Sequence, residues 1–192
     1  MNRVLPPRLY DAVQVALGLR LAYERLAPHL TGLEGSTVLD VGGGTGLYRS
    51  LLPRSARYIC LDNDVRKLAR LKRTHERARA LLSDATVMAL KPRSVDCALC
   101  IAVSHHLDDG SLDRLFRELG RVVRTRLVFL DALWSPDLIA SRVLWSLDAG
   151  DHPRSKARLL DSLSACFAPA HIESYAIYHR YLLCVASPKS LS

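Results

Sequence analysis

No stretch of this 192-residue chain stays apolar long enough to cross a bilayer. The apolar run nearest the N-terminus, Ala12 to Leu21, is interrupted by Gln14 and Arg20, which excludes both a signal-peptide core and a membrane span. A soluble, cytoplasmic protein without a membrane partner is expected. A disulfide framework is missing as well. The five cysteines, an odd number, lie mostly inside apolar runs, where cysteine behaves as a small buried hydrophobe. Cys97 and Cys100 spell Cys-x-x-Cys, but Val95 to Ile101 reads as a strand, whose alternation sends positions i and i+3 to opposite faces. With no second pair, no metal site is expected. There is no internal repeat and no low-complexity segment, only a loose tail at Ser187 to Ser192.

Acids are also in short supply: 19 Asp and Glu face 27 Lys and Arg, for a formal charge of +8. Such an excess is common in nucleic-acid binders. Much of it sits in Arg66, Lys67, Arg70, Lys72, Arg73, Arg77 and Arg79, around an apolar stripe of Val65, Leu68, Leu71, His75, Ala78 and Leu82. No aromatics interleave with these charges, so a solvated helix face is favoured over a nucleic-acid surface.

The chain has 49% hydrophobic residues, enough for one well-formed core, and a single domain spanning 1–192 is expected. Arg8 to Leu30 carries apolar residues at helical spacing between Pro6-Pro7 and Gly32, predicting an N-terminal helical cap over residues 1–35. A core over 36–131 then alternates strand and helix. The predicted strands are Thr37–Val41, Arg57–Leu61, Ala80–Leu82, Val95–Ile101 and Leu127–Leu130. Between them stand a short helix from Gly46 to Leu52 stopped by Pro53, the basic helix capped by Asp64, and a helix beginning near Ser111. Residues 132–168 read as acceptor-side helices, Pro136–Leu147 and Pro153–Phe167. Residues 169–186 read as a hairpin, Ile172–Ile177 and Tyr181–Ala186 joined by Tyr178-His179-Arg180. The fold class is therefore α/β: a Rossmann-like three-layer sandwich with a mostly parallel seven-stranded sheet and a C-terminal antiparallel hairpin.

The sharpest signal is Thr37-Val38-Leu39-Asp40-Val41-Gly42-Gly43-Gly44-Thr45-Gly46-Leu47. A branched apolar strand ends in an acid and opens through glycines into a helical segment, so the backbone approaches a ligand closely and free amides face it. A dinucleotide fingerprint requires a third glycine where Leu47 stands, which argues against a nicotinamide cofactor. Ligands of open parallel sheets sit at the carboxyl ends of the strands, and the polar residues fall there: Asp40, Asp62, Asp84, Ser104-His105-His106 and Asp131. Asp62 stands at the separation from the glycine turn at which an acid reads a ribose; the alternative is a loop acid beside Asp64. Asp84 reads equally as a turn or cap residue.

Val38 to Gly46, Leu61-Asp62, Ser83-Asp84-Ala85 and Val95 to Asp109 together resemble, in order, the class I S-adenosylmethionine (SAM) methyltransferases. The segment Val95 to Leu107 looks like the small-molecule branch, with Ser104 in place of the first leucine of Leu-His-His-Leu. The resemblance implies SAM as cofactor and places Asp40, Gly42, Gly43, Gly44 and Gly46 at its methionine part. It further places Asp62 at the ribose, Asp84 and Ala85 at the adenine, and the backbone of Cys100 and Ile101, up to Ala102, at its amino group, with Asn63 also among the cofactor-binding residues. It also implies an enzyme that transfers a methyl group to a small molecule by in-line displacement. The alternatives are transfer to RNA or protein through the basic surface, and a non-catalytic SAM-binding protein.

Such a displacement chiefly needs alignment in a dry pocket. Tyr10 and Trp134, with Trp145, are candidate walls of the acceptor pocket, packing being the alternative. His105 is the candidate base for a hydroxyl acceptor. His106 is the alternative, more suited to packing, and Asp131 is a candidate for orienting an acceptor or capping the segment before Pro136. No Asn-Pro-Pro-Tyr-like signature of base methylation follows the fourth strand, which favours a small-molecule acceptor over nucleic acid.

Overall fold

Alternation of branched apolar residues between short turns builds seven strands: β1 (Thr37–Val41), β2 (Arg57–Asp62), β3 (Arg79–Leu82), β4 (Val95–Ile101), β5 (Val123–Leu133), β6 (Phe167–Ala176) and β7 (Arg180–Pro188). The computed structural model describes residues 19–138, 141, 145, 152–177 and 179–190. All seven strands form one sheet in the order β3-β2-β1-β4-β5-β7-β6. Strands β1 to β5 pair in parallel, and β7 runs antiparallel to both β5 and β6. This is the expected Rossmann-like sheet with its C-terminal hairpin.

Period-two alternation sorts the side chains into two cores. On one face Leu39, Val41, Ala98, Cys100 and Phe129 pack with α3 (Asp109–Val122) and α4 (Lys156–Cys166) through Leu112, Leu115, Phe116, Leu159 and Leu163. On the other, Val38, Cys60, Cys97, Leu99 and Val128 pack with α1 (Leu19–Leu26) and α2 (Val65–Thr74) through Leu26, Leu68 and Leu71. Burying each of the valines, leucines and phenylalanines among them contributes about 1.5–3 kcal/mol. Cys97 and Cys100 thus lie in different cores, as their spacing on a strand requires.

Asp108 and Asp64 cap α3 and α2, accepting from Ser111 N and Arg66 N. Helix α3 therefore begins two residues before the expected start, at Asp109. The segment after Gly46 forms a 3-10 turn, Leu47–Leu51, and not an α-helix. The apolar stripe of the basic helix does not run on to Leu82. Helix α2 ends at Thr74, and Lys72 Nζ reaches forward to the carbonyls of Glu76 and Ala78 just beyond it. Val65 and Leu82 are exposed, and Leu82 belongs to β3. Within the described residues the N-terminal cap is α1 followed by a 3-10 turn, Ala27–Leu30; the earlier part of the expected helix, Tyr10 included, lies outside them. Most of the expected helix over 136–147 lies outside them too. No helix among the described residues is long and apolar enough to cross a membrane.

Candidate active site

Strand β1 is flanked by β2 and β4, the point where strand order reverses and a crevice opens beyond the strand ends. The glycine turn fills its mouth. Gly42 N donates to Leu61 O (2.7 Å) and Gly44 N to Asp62 Oδ2 (2.9 Å), while Asp62 Oδ1 accepts from Asp64 N (2.8 Å). Asp62 is buried and clasps the turn from the end of β2. A Cβ on Gly43 would stand 2.6 Å from Asp40 Cγ and 2.9 Å from Cys60 Sγ, so only glycine passes over the carboxylate. Gly42, at φ +65°, would drive a Cβ to 2.6 Å from Val103 Cγ2.

Asp40 shares the parity of Val38 and so faces the α1/α2 core. It is 1% exposed, and Tyr58 Oη donates to its Oδ2 at 2.5 Å. Burial pushes its carboxyl up to about 7, the Tyr58 hydrogen bond opposing and Asp62 assisting. The same environment raises the Tyr58 hydroxyl and the Cys60 thiol, burial again leading. Asp40, Gly42, Gly43, Gly44, Thr45, Leu47, Tyr48, Lys67, Ile101 and Ala102 line a narrow cleft of about 30 Å³, room for about one water. A larger hollow of about 530 Å³ lies elsewhere, open to the surface beside Asp109, His152, Arg154 and Arg158. Of the two, the cleft and not the larger hollow gathers bare glycine backbone and a buried carboxylate, Asp40.

Beyond β4 the chain turns sharply at Ala102, a non-glycine residue at φ +55°. It then enters a 3-10 turn, Ser104–His106. His105 is 7% exposed, and its Nδ1 lies 2.6 Å from Oδ1 of the fully buried Asp131 on β5. Ser104 N and Oγ donate to Asp131 Oδ2 (2.7 and 2.5 Å), and Ala132 N to Oδ1 (2.8 Å). Burial alone would raise the Asp131 carboxyl; His105 and these hydrogen bonds prevail and hold it below the usual range. An ionised Asp131 can only accept, so Nδ1 of His105 donates to it. The pair resembles the carboxylate-oriented histidines of acyl-transfer enzymes in logic alone.

The structure thus joins two sequence candidates, His105 and Asp131, that spacing had kept apart; Asp131 does not serve as a cap. His106 is exposed, its ring 4.1 Å from that of His105. Trp134 is 45% exposed, whereas Trp145 is buried edge-on to His105, ring centroids 5.7 Å apart, and to His179 at 5.2 Å. Asn63 is exposed. Asp84 is exposed and binds Thr86 N and Oγ1 (2.7 and 2.8 Å), a turn role that leaves Ala85 beside it partly buried. Sequence reasoning missed Tyr58, Lys67 and Arg154. Tyr58 has the strand parity that would have pointed it at Asp40; nothing local marks Arg154.

Residues 39–129 match the family described as methyltransferase domain. The structure of magnesium protoporphyrin IX methyltransferase from Synechocystis PCC 6803 with bound SAH superposes with a TM-score of 0.76 at 17% identity, over 92% of this chain and 87% of that one. A chain from the complex between the Haloferax volcanii Trm112 methyltransferase activator and a methyltransferase gives 0.76 at 16%, over 93% and 95%. Geranyl diphosphate C-methyltransferase from Streptomyces coelicolor A3(2), in complex with Mg2+, geranyl diphosphate and S-adenosyl-L-homocysteine, gives 0.73 at 15%, over 88% and 80%. At such identities the superpositions establish the fold. No curated protein matches the sequence significantly.

Proposed function

We propose that this chain, a class I SAM-dependent methyltransferase with its methyltransferase domain over residues 39–129, methylates a small-molecule hydroxyl whose proton is taken by His105. One observation carries the reading: the buried His105–Asp131 pair stands three residues beyond Ala102, which lines the cleft of the glycine turn. The base and the cofactor cleft are thus parts of one strand end.

The residues around the cleft fit SAM. The turn presents backbone without side chains, Gly43 passes over a carboxylate where no Cβ fits, and Ile101 and Ala102 give an apolar wall. In this reading Asp40 and the glycines hold the methionine part, Asp62 the ribose, and the Asp84-Ala85 turn the adenine. Bound there, SAM would supply a methyl group on a sulfonium, its sulfur leaving as the neutral thioether of SAH. Asp131 holds the Nδ1–H of His105, and the other ring nitrogen of the imidazole would take the proton that the acceptor hydroxyl loses. Trp145, edge-on to the imidazole, excludes water on that side. Two of the structural neighbours are enzymes of small molecules, a porphyrin and a prenyl diphosphate, which supports an acceptor of that size.

Calorimetry with SAM and SAH tests the cofactor; no heat at millimolar ligand with the chain folded discards the proposal. A methyl-transfer screen over metabolites and RNA tests the acceptor. Transfer to RNA or protein alone would move the site of recognition to the basic face of α2.

A further inference from the structure

We propose that Arg154 is the positioning residue of the His105–Asp131 pair: its buried guanidinium locks the β4–α3 loop in the conformation that brings the imidazole onto the carboxylate. The inference rests on the reading of His105 as the base.

The loop from Ala102 to Asp108 contains a three-residue 3-10 turn whose amides His106 N and Leu107 N reach Val103 O and Ser104 O, and side-chain donors to Ser104 O and Leu107 O come from outside it. Arg154, 8% exposed, supplies them. Its Nη1 donates to Ser104 O (2.8 Å) and His152 O (3.1 Å), its Nη2 to Leu107 O, and its Nε to Asp109 Oδ1 (2.7 Å). The acceptors Ser104 O and Leu107 O bracket the two histidines. His152 N adds a bond to His105 O itself (3.1 Å). The backbone of Arg154 is meanwhile tied to the other half of the pair. Its carbonyl accepts from Trp134 N (2.8 Å), and it bridges Leu133, two residues beyond Asp131 on β5. Residues 152–154 therefore form a strap stitched to the strand of the carboxylate through its backbone and to the loop of the imidazole through its side chain.

Four acceptors in different directions require the planar fork of arginine; lysine would keep the charge and lose the geometry. A buried guanidinium is retained only where its hydrogen bonds are made, and here three of the four go to backbone carbonyls. Arg158 makes a natural control. It lines the same hollow and reaches Asp109 at 3.6 Å, but its hydrogen bonds go to Asp113 and Ser162 and none to the histidine loop.

The readout is the Nδ1 proton of His105, which a bond to an ionised carboxylate moves far downfield of the amide envelope in the proton NMR spectrum. Asp131→Asn assigns the resonance by abolishing it. In Arg154→Lys the resonance is expected to vanish or move into the range of free imidazoles, with circular dichroism and SAH affinity retained; in Arg158→Lys it stays. If Arg154→Lys fails to fold, Asp109→Ala removes the Nε acceptor together with the 3.6 Å contact to Arg158, and a partial shift is expected. A resonance unmoved in both variants, or moved equally by Arg158→Lys, overturns the proposal. Should His105→Ala leave methyl transfer intact while Arg154→Lys still moves the resonance, the base reading fails and the positioning role stands.

Discussion

Asp40 is a carboxylate that the apo fold holds at an energetic cost, and Asp40→Asn exposes that cost. The carboxyl is 1% exposed, and burial raises it from 3.8 to about 7. A folded-state value above the unfolded one means that its contribution to stability is complete below about pH 4 and is lost as pH rises toward 7. The whole interval corresponds to roughly 4 kcal/mol. Asparagine mimics the protonated acid, keeps an acceptor for Tyr58 Oη, and pays about 1–2 kcal/mol for a buried amide N–H₂ beneath Gly43. Urea denaturation of both proteins from pH 4.5 to 8 should therefore show the variant equal or weaker at the acid end and stronger by about 2 kcal/mol at the alkaline end. The cofactor reverses the preference. With SAM held as proposed, its cationic groups beside Asp40 would lower that pKa, so binding should release protons below pH 7 and affinity should climb with pH to a plateau near 7. Asparagine should stabilise the apo chain and weaken SAM binding. A stability difference that is flat from pH 4.5 to 8 would refute the argument, since Asp40 would then be ionised throughout.

His105→Ala should slow methyl transfer to a hydroxyl by about a hundredfold or more with SAM affinity preserved, whereas His106→Ala, at an exposed position, should change turnover and melting temperature little; the reverse pattern in steady-state kinetics reassigns the base. Asp131→Asn frees the imidazole to adopt the wrong tautomer, and turnover should fall as far as in His105→Ala while circular dichroism stays native. Gly42→Ala should destabilise by about 1–3 kcal/mol, and adding Val103→Ala should recover part of it, because the new Cβ meets Val103 Cγ2 at 2.6 Å; strict additivity in the double-mutant cycle contradicts that contact. Charge reversal at Arg66, Arg70 and Arg73 should leave small-molecule methylation intact, and RNA affinity should be weak with a shallow salt slope; a steep slope abolished by the reversal moves the acceptor to nucleic acid.

The parts of the fold legible in the sequence were those in which local pattern and burial agree. β1 and β4 form over the expected residues, since each is a mainly apolar run, broken by one aspartate and closed by a turn on both sides. β5 was legible only at Leu127–Leu130. Its first residues, Val123-Arg124-Thr125-Arg126, read as polar, yet they join the sheet because tertiary partners take their polar groups. Arg124 pairs with Asp96, Thr125 Oγ1 donates to Asp96 O, and Arg126 donates to His29 O. The hairpin was legible as alternation but its length was not. β6 is an edge strand, mostly exposed, and it tolerates Pro169 where its register shifts against β7. The basic stripe misled because His75, Ala78 and Leu82 continue helical spacing by coincidence across the end of α2. At the site, the acids at the strand ends were legible because the Rossmann-like topology dictates where strand ends gather. The pairing of His105 with Asp131 was not, because it depends on the depth to which the β4–α3 loop folds back over β5.

That depth is set from two sides. On one, Gly42 lacks the Cβ that would displace Val103, so the glycine turn and the start of the loop are in direct contact. On the other, Ser104 donates twice to Asp131, and Ala102 N donates to Leu130 O (2.8 Å), so the loop begins as a continuation of the β4–β5 ladder. Three consecutive residues, Ala102, Val103 and Ser104, therefore touch the cleft, the glycine turn and the carboxylate in succession. A cofactor seated in the cleft would press on Ala102 and Val103, and Ser104, bonded to Asp131 Oδ2, links that segment to the carboxylate whose Oδ1 meets His105. On the proposed reading of His105 as the base, loading of the cofactor cleft and placement of the base are one mechanical event, as an enzyme whose main task is alignment requires.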